Sequence, residues 1–202
     1  MSRGRYIALE GAEGCGKSTH ASRLAATLGA VLTRETGGTA IGRQIRSILH
    51  DTSISNLSHR AEALLAAADR AQHIDEIVAP ALAAGQHVVS DRSVYSSLAY
   101  QGYGRELPIA EVRRLNEWAM DAHWPDLVLL IDAAPDVLER RMRGRQLDRF
   151  EREDDRFHER VLDGFRQMAL AEPERWTVID GSQSLEAVAN DIRAAVHDRL
   201  GL

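Results

Sequence analysis

One run of eight residues constrains this chain more than any other feature. Gly11 to Ser18 match the pattern G-x-x-x-x-G-K-[ST], between a short apolar run (residues 6–9) and an amphipathic stretch that Gly29 would end. Glycines let consecutive backbone N–H groups turn inward around an anion at a helix N-terminus. Lys17 is expected to reach the β- and γ-phosphates, and the Ser18 hydroxyl to bind Mg²⁺. The pattern predicts a nucleoside triphosphate site formed by Gly11, Ala12, Glu13, Gly14, Cys15, Gly16, Lys17, Ser18 and Thr19.

Short apolar runs alternate with long stretches of helical period along the whole chain. The runs, partly β-branched, span residues 6–9, 30–33, 87–90, 127–131 and 176–179. Helical stripes cover residues 57–84, a helix from Pro135 to about residue 143, and residues 184–200. Short continuous apolar strands between helices indicate strands buried on both faces. We therefore predict an α/β fold, a five-stranded parallel sheet with helices on both faces, in a single domain over residues 1–202.

Composition excludes several classes of protein. The formal net charge is −5 and hydrophobic residues make up 44% of the chain, which favours an ordered globular protein without an electrostatic case for nucleic acid or an anionic membrane. The single cysteine, Cys15, rules out an intramolecular disulfide. The amino-terminal residues do not resemble a signal peptide, and no apolar run approaches the roughly 20 residues that span a bilayer. We expect a cytoplasmic protein.

The loop alone does not distinguish between a kinase, a GTPase and a motor ATPase. A guanine-reading N-K-x-D sequence is absent, and the third strand does not end in the paired acids of a motor ATPase. It ends in Ser90-Asp91-Arg92, where Asp91 is suited to hold magnesium or its water and Arg92 to bind a second phosphate. This favours an enzyme with two phosphorylated substrates, and a purely structural Asp–Arg pair is the alternative.

Residues 143–156 form the least regular stretch, with five arginines and five acidic residues around two apolar ones. Most charge runs of this kind are solvated, salt-bridged turns. In a phosphate-binding protein, the same segment after the fourth strand suggests a mobile lid that carries a catalytic arginine. Both interpretations are open at this stage, and we refer to residues 143–156 as the lid segment.

Taken together, the motifs resemble the thymidylate kinase family. The matching stretches are YIALEGAEGCGKST, TRETGGTAIGRQIR, AEALLAAADRAQH, ALAAGQHVVSDRSVYSSLAYQG and LDRFERE, in family order from residue 6 to about residue 168. The resemblance implies a P-loop nucleoside monophosphate kinase fold that transfers a phosphate from ATP, with Mg²⁺, to dTMP in dTTP biosynthesis. It also implies a homodimer, for which residues 57–84 or residues 109–120 would supply the interface.

The resemblance implies roles for the acceptor side of the site. Arg34 and Arg92 would hold the monophosphate, and Asp91 would support the metal. Glu13 would lie near the acceptor's sugar hydroxyl or the metal, and Arg70 would donate hydrogen bonds to a thymine carbonyl.

Three residues after the third strand carry the implied base and sugar contacts. Ser97 would read the base edge, Tyr100 would occupy the place of a ribose 2′-hydroxyl, and Gln101 would lie beside them. Their spacing of i, i+3 and i+4 puts them on one face of an α-helix.

The catalytic cations implied by the resemblance are Lys17, Arg92 and an arginine of the lid segment. Members without an arginine in the P-loop carry it in the lid, and this loop has Gly14 and Cys15 instead. Arg149 is the first candidate, and Arg145 and Arg152 are the next.

Three positions depart from the family pattern. Ala66 replaces an aromatic residue that stacks on thymine, Thr36 replaces a proline, and Ser93 replaces an aromatic residue for which Tyr95 or Tyr103 would compensate. The alternatives are therefore another nucleoside monophosphate or deoxynucleoside kinase, or a non-catalytic ATP-binding regulatory module. The second set of arginines argues against the last, since an ATP sensor has no use for it.

Overall fold

The computed structural model describes residues 3–144 and 146–202. Its centre is a five-stranded, all-parallel sheet in the order β2-β3-β1-β4-β5. The strands are β1 (Tyr6–Glu10), β2 (Val31–Arg34), β3 (Val88–Asp91), β4 (Leu127–Asp132) and β5 (Trp176–Asp180). The chain leaves the central strand β1 for one half of the sheet and later crosses to the other half. That reversal places a ligand-binding crevice at the carboxyl end of β1.

The two faces of the sheet belong to two separate hydrophobic clusters. Successive residues of β4 alternate strictly, since Val128 and Leu130 pack in one cluster and Leu127, Leu129 and Ile131 in the other. Side chains of a strand point alternately to opposite faces, so a fully apolar strand requires cover on both. The predicted five-stranded parallel sheet with helices on both faces is confirmed.

Every strand continues one residue beyond the apolar run that predicts it. The five added residues all carry charged side chains: Glu10, Arg34, Asp91, Asp132 and Asp180. The ladder is made by backbone groups, so it extends past the last apolar side chain. Because parallel strands share one carboxyl edge, this edge of the sheet is lined with ionisable groups.

The helices pack on both faces. One face carries α3 (His59–His73), α5 (Val94–Ser97), α6 (Ile109–Met120) and α8 (Asp155–Ala171). The other carries α1 (Lys17–Leu28), α7 (Pro135–Met142) and α9 (Leu185–Leu200). Two further helices are α2 (Ala40–His50) and α4 (Ala79–Ala83). No helix of the described residues is long and apolar enough to cross a membrane.

The predicted continuous helix over residues 57–84 is wrong in detail. The structure has α3, a π-helical segment π1 (Ile74–Val78) and then α4. Pro80 lies in the first turn of α4. Proline cannot donate to the carbonyl four residues earlier and its ring clashes with that carbonyl, so the wider turn before it relieves both problems.

Candidate active site

A cavity of about 540 Å³ opens at the carboxyl edge of the sheet. This volume lies in the range of small-molecule sites. Most of the predicted site residues line it: Glu13, Gly14, Gly16, Lys17, Ser18, Thr19, Arg34, Arg70, Asp91, Arg92, Ser97, Tyr100 and Gln101. Gly11, Ala12 and Cys15 belong to the loop but do not line the cavity.

The loop between β1 and α1 forms one wall, which we call the donor wall (Gly11 to Thr19). Gly11 has φ +140°, and a Cβ there would lie 2.5 Å from the carbonyl oxygen of Ile131, so only glycine fits. Gly16 has φ +100° and caps the start of α1. The first N–H groups of that helix have no intrahelical partner, which suits them to bind an anion.

Lys17 holds a positive charge inside the loop. Its side chain is buried, and Nζ donates to the carbonyl of Ala12 at 2.7 Å. The thiol of Cys15 lies 3.6 Å from the same nitrogen and packs on the apolar side of the loop. The ammonium group therefore lies among the loop's backbone groups, as the motif predicts.

Two oxygen ligands meet at the end of β3. The hydroxyl of Ser18 donates to a carboxylate oxygen of Asp91. Among residues 3–144 and 146–202, no group of three or more His, Cys, Asp or Glu side chains is arranged to hold a metal ion. A pair of hard oxygen donors fits Mg²⁺, which keeps several waters and is usually completed by substrate phosphates.

Arg92 connects the donor wall to the opposite wall. It has a left-handed backbone, φ 72°, which turns the chain sharply after β3. Its guanidinium donates to the carboxylate of Glu13, to the hydroxyl of Tyr100 at 3.1 Å and to the carbonyl of Gly11 at 3.2 Å. Burial alone raises the pKa of Glu13, but the charges of Arg92 and Lys17 outweigh it and lower that pKa to about 2. Glu13 is therefore ionised at neutral pH.

Buried Glu10 fixes the segment that carries Arg92. Its carboxylate accepts from the hydroxyl and the backbone N–H of Ser93 at 2.7 and 2.8 Å, and from the hydroxyl of Ser96 at 2.7 Å. Burial raises the pKa of Glu10 despite the nearby charge of Arg92. Ser93 stands where an aromatic residue is usual in the family, and here it donates hydrogen bonds to Glu10. Neither Tyr95 nor Tyr103 lines the cavity, so neither compensates for that aromatic residue.

The opposite wall, which we call the acceptor wall, consists of the cavity-lining residues of α2, α3, α5 and the π-helical segment that follows α5, together with Arg34 and Arg92 at the carboxyl ends of β2 and β3. Its floor is Arg70, whose side chain is 2% exposed. The guanidinium donates to Glu35 at 2.9 Å, to the hydroxyl of Ser97 at 3.1 Å, to the carbonyl of Ser93 at 3.2 Å and to the side-chain oxygen of Asn116. Arginine has five N–H donors, so one remains for a bound base. Its predicted hydrogen bond to a thymine carbonyl stays a prediction.

A buried polar cluster supports Arg70 from behind. Glu35 accepts from Nδ1 of His73 at 2.8 Å, and Nε2 of that ring lies 2.7 Å from the hydroxyl of Thr33. Burial raises the pKa of Glu35, but the charge of Arg70 together with the hydrogen bonds from His73 and Arg70 outweighs burial, so the pKa is lowered. Asp69 accepts from the backbone N–H of Gly37 at 2.8 Å, which ties α3 to the loop after β2.

Two more arginines face the cavity at the end of β2. Arg34, as predicted, lines it, and within the described residues it forms no ion pair. Arg46 also lines it and was missed by the sequence reasoning. Arg46 donates to the carbonyl of Thr36 at 3.2 Å, and its pKa is lowered by burial and by the charge of Arg34. Arg46 lies four residues after Gly42 on α2, and Gly42 packs toward α3. This i, i+4 spacing is the sequence signal that could have placed Arg46 on the same face of the helix.

The segment after α5 is not the α-helix that the sequence predicts. Residues Leu98–Gly104 form a second π-helical segment, π2, closed by a hydrogen bond from the N–H of Arg105 to the carbonyl of Tyr100 at 2.8 Å. The wider turn nevertheless leaves Ser97, Tyr100 and Gln101 on the cavity side. The predicted grouping is confirmed, although the geometry assumed for it is wrong.

The lid segment is anchored to the body of the protein by side chains in its second half. Asp148 pairs with Nδ1 of His50 at 2.6 Å, and Glu153 pairs with Arg105 at 2.7 Å. Phe150 is 9% exposed and packs edge-to-face on the rings of Tyr100 and His50. Since Phe150 and Tyr100 line the cavity together with Ala66, aromatic surface remains beside the position that lost an aromatic residue.

Arg149 does not line the cavity. Its Nε donates to the carbonyl of Leu49 at 2.8 Å, and Nη2 donates to the carboxylate of Glu62 at 2.7 Å. This arrangement does not favour its predicted role as the catalytic cation, which stays a prediction. Arg141 and Gln146 line the cavity instead, and the sequence reasoning selected neither. Arg145, the second candidate, lies outside the described residues.

A phosphate-binding loop that faces a second set of cations across one cavity defines a P-loop phosphotransferase with two phosphorylated substrates. The family model described as thymidylate kinase matches residues 9–192. The chain therefore belongs to the thymidylate kinase family.

Individual relatives agree with this assignment. The chain is 41% identical to a thymidylate kinase of Exiguobacterium sp., over 98% of this chain and 96% of the relative. It is 46% identical to a thymidylate kinase of Bifidobacterium longum, over 92% of this chain and 93% of the relative. The crystal structure of a thymidylate kinase from Ehrlichia chaffeensis superposes with a TM-score of 0.80 at 29% identity, covering 96% of this chain and 99% of that one.

Proposed function

We propose that this protein transfers the γ-phosphate of ATP to dTMP, giving ADP and dTDP. The observation that carries the proposal is the separation of cations in one cavity, with Lys17 on the donor wall and Arg34, Arg46 and Arg92 across from it. A protein that only binds ATP needs the first set. A protein that joins two anionic substrates needs both.

The donor wall binds the triphosphate. Backbone N–H groups at the start of α1 and the ammonium of Lys17 contact the phosphates, and the carbonyl of Ala12 releases Nζ when a phosphate oxygen replaces it. The backbone N–H groups are fixed before the substrate arrives, so they do not need to reorganise during the reaction.

The acceptor wall orients dTMP. Arg34 and Arg92 bind its phosphate, Arg70 and Ser97 contact the base, and the ring of Tyr100 closes the place next to the sugar. Glu13 stays ionised beside Arg92, which keeps the guanidinium directed at the junction between the two substrates.

Ser18 and Asp91 would hold Mg²⁺, which neutralises charge on the β- and γ-phosphates when it is bound. This assignment fits the two oxygens that the structure brings together at the end of β3.

The chain's own residues act by positioning and charge. An oxygen of the dTMP phosphate attacks the γ-phosphorus, that O–P bond forms, the bond to the bridging β–γ oxygen breaks, and ADP leaves with the electron pair. A phosphate oxygen is already nucleophilic at neutral pH, so no side chain has to remove a proton. Lys17 and Arg92 place positive charge on the donor and acceptor sides of the transferring group.

A second candidate function concerns the base of the acceptor nucleotide. Ala66 leaves one side of the base site without an aromatic ring, which favours a kinase for another nucleoside monophosphate as the alternative. A coupled assay of ADP formation with dTMP, dUMP, dCMP, dGMP or AMP distinguishes them. We expect ADP formation to require an acceptor and to be fastest with dTMP. ADP formation at the same rate without an acceptor would contradict the proposal.

We also propose that the protein is a homodimer through α3 and α6. Trp118 on α6 is 86% exposed and Leu64 on α3 is 57% exposed, and the two helices pack side by side. Exposed large apolar groups on adjacent helices suit a self-complementary interface. Light scattering should give twice the chain mass of 22.3 kDa. Trp118→Glu should give the monomer mass, and a monomeric wild type would contradict the proposal.

Two further expectations remain proposals. We propose that the chain is one domain in which residues 143–156 form a lid, because side chains of this segment pair with His50 of α2, with Glu62 of α3 and with Arg105, directly after π2. The cytoplasm is the proposed compartment, because Cys15 is a free thiol beside the catalytic lysine and a reducing environment keeps it so.

A further inference from the structure

The buried carboxylate of Glu62 lies outside the cavity but contacts Gln101, which lines the cavity, and Arg149 of the lid segment. Glu62 lies in the first turn of α3 and its side chain is 0% exposed. It accepts hydrogen bonds from Gln101 at 2.9 Å, from Arg105 at 3.1 and 3.2 Å and from Arg149 at 2.7 Å. Gln101 belongs to π2 and Arg149 to the lid segment, which are distant in sequence. One carboxylate therefore joins α3, π2 and the lid.

On the lid side, Glu62 holds the segment at two points. Arg149 contacts it directly. Arg105 contacts it and also pairs with Glu153, at 2.7 Å. These two contacts bracket Phe150, one of the lid residues that line the cavity. Burial alone raises the pKa of Glu62, but hydrogen bonds from Arg105 and Gln101 outweigh it and lower that pKa, so the group is ionised at neutral pH.

On the cavity side, Glu62 decides which way the amide of Gln101 faces. An ionised carboxylate can only accept hydrogen bonds, so the amide must present its Nε2 to Glu62. Its Oε1 is then the atom available to a ligand. Within residues 3–144 and 146–202 we find no donor to that oxygen. Gln101 therefore offers the cavity an acceptor and not a donor.

We propose that Glu62 is a positioning residue that closes the lid through Arg149 and sets the polarity of the base site through Gln101. The second part rests on the proposed function, since it concerns the acceptor base. Thymine has a ring N3–H that can donate to Oε1 of Gln101, whereas cytosine has a lone pair at that position. The acceptor presented by Gln101 thus favours thymine over cytosine.

The test is Glu62→Gln, with the exposed Glu159→Gln as the matched control. The neutral amide introduced at position 62 can donate to Oε1 of Gln101, which allows the Gln101 amide to turn and present Nε2 to the cavity. The substitution also removes the charge that holds Arg149. Two quantities are measured: the rate of tryptic cleavage within residues 143–156, assigned by mass spectrometry, and the ratio of kcat/KM for dTMP to that for dCMP.

We expect lid cleavage to become about tenfold faster in Glu62→Gln and the dTMP-to-dCMP ratio to fall about tenfold, the effect of one hydrogen bond of roughly 1.4 kcal/mol. Glu159→Gln should change neither quantity. Equal cleavage rates and an equal ratio in wild type and Glu62→Gln would overturn the proposal. An inactive wild type would contradict the proposed function, whereas the cleavage measurement needs no activity.

Two single-contact variants cover the case in which Glu62→Gln does not fold. Arg149→Met should speed tryptic cleavage after Arg152, a site that both proteins contain, and leave the dTMP-to-dCMP ratio unchanged. Gln101→Met should lower the ratio and leave cleavage unchanged. A lid in Arg149→Met as protected as in the wild type would overturn the proposal.

Discussion

The donor wall and the acceptor wall face the same cavity, but they bind charge by different means. The donor wall uses glycines, backbone N–H groups and one buried lysine, all within nine consecutive residues. The acceptor wall uses buried side chains that bond one another across long sequence distances, such as Arg70 to Glu35 and Asn116. The donor wall is formed by residues that are adjacent in sequence, whereas the acceptor wall is formed by residues that only the folded chain brings together.

This difference predicts how the two walls fail. A change in the donor wall should remove catalysis and leave the fold intact, because few other residues depend on its side chains. A change at a buried charged residue of the acceptor wall should cost stability as well, because each buried charge is compensated by its neighbours.

The largest effect on stability is expected for Arg70→Met. Removing the cation leaves the buried carboxylate of Glu35 with His73 as its remaining partner, and breaking a buried pair typically costs 3–5 kcal/mol. We expect a loss of about 3 kcal/mol in the free energy of unfolding, measured by urea denaturation with tryptophan fluorescence. Arg34→Met is the control, because the exposed Arg34 has no partner among the described residues. Equal losses in both variants would contradict the claim that the buried, compensated charges of the acceptor wall contribute to stability.

Lys17→Ala should raise the activation free energy of catalysis by about as much as Arg70→Met lowers the free energy of unfolding. Its own effect on the free energy of unfolding should be small. Removing one preorganised charge from a transferring group costs about 10² to 10³ in kcat. The measurement is steady-state ADP formation with saturating dTMP, alongside the same urea titration. A kcat within tenfold of wild type would mean that the loop does not bind the triphosphate as described.

Much of this contrast was readable in the sequence. The five strands, the phosphate loop and the order of α and β elements follow from local apolar runs and from one eight-residue motif. The two π-helical segments could not be predicted from the sequence, because π1 depends on how the chain accommodates Pro80 and π2 on its packing against α8. The resemblance assigns catalysis to an arginine of the lid segment, and the sequence makes Arg149 its first candidate. Its contact with Glu62, 87 residues away, could not be read from either segment. Arg46 and Arg141 were missed for the same reason.

Gly42→Ala should lower the stability of the protein by an intermediate amount. It tests how closely α2 and α3 pack behind the acceptor wall. A Cβ at Gly42 would lie 2.3 Å from Oδ1 of Asp69, so α2 and α3 must move apart. Forced overpacking of this kind costs about 1–3 kcal/mol. Gly29→Ala, where a Cβ meets no atom within 4 Å but φ is +59°, is a control for left-handed strain alone. The comparison fails if thermal unfolding shows Gly42→Ala to be the more stable of the two.

The smallest expected effect is a pH dependence of the free energy of unfolding that comes from Glu62, behind the acceptor wall. Glu62 has a lowered pKa in the folded protein, so its stabilising contribution is present above the unfolded pKa of about 4.3 and is lost as the pH falls through the folded value. The difference in unfolding free energy between wild type and Glu62→Gln should therefore stay constant above about pH 5 and narrow as the pH falls below about 4.3, by at most about 1.4 kcal/mol per pH unit. A difference that widens on acidification would contradict the ionised state of Glu62.

The most direct test of the two-wall account is calorimetric titration of each substrate separately. Wild type, Lys17→Ala and Arg34→Met are titrated with a non-hydrolysable ATP analogue and, in separate experiments, with dTMP. The account predicts that Lys17→Ala weakens the ATP analogue at least tenfold and leaves the Kd of dTMP unchanged, and that Arg34→Met does the reverse. Loss of both ligands in either variant, or of neither in both, would contradict it.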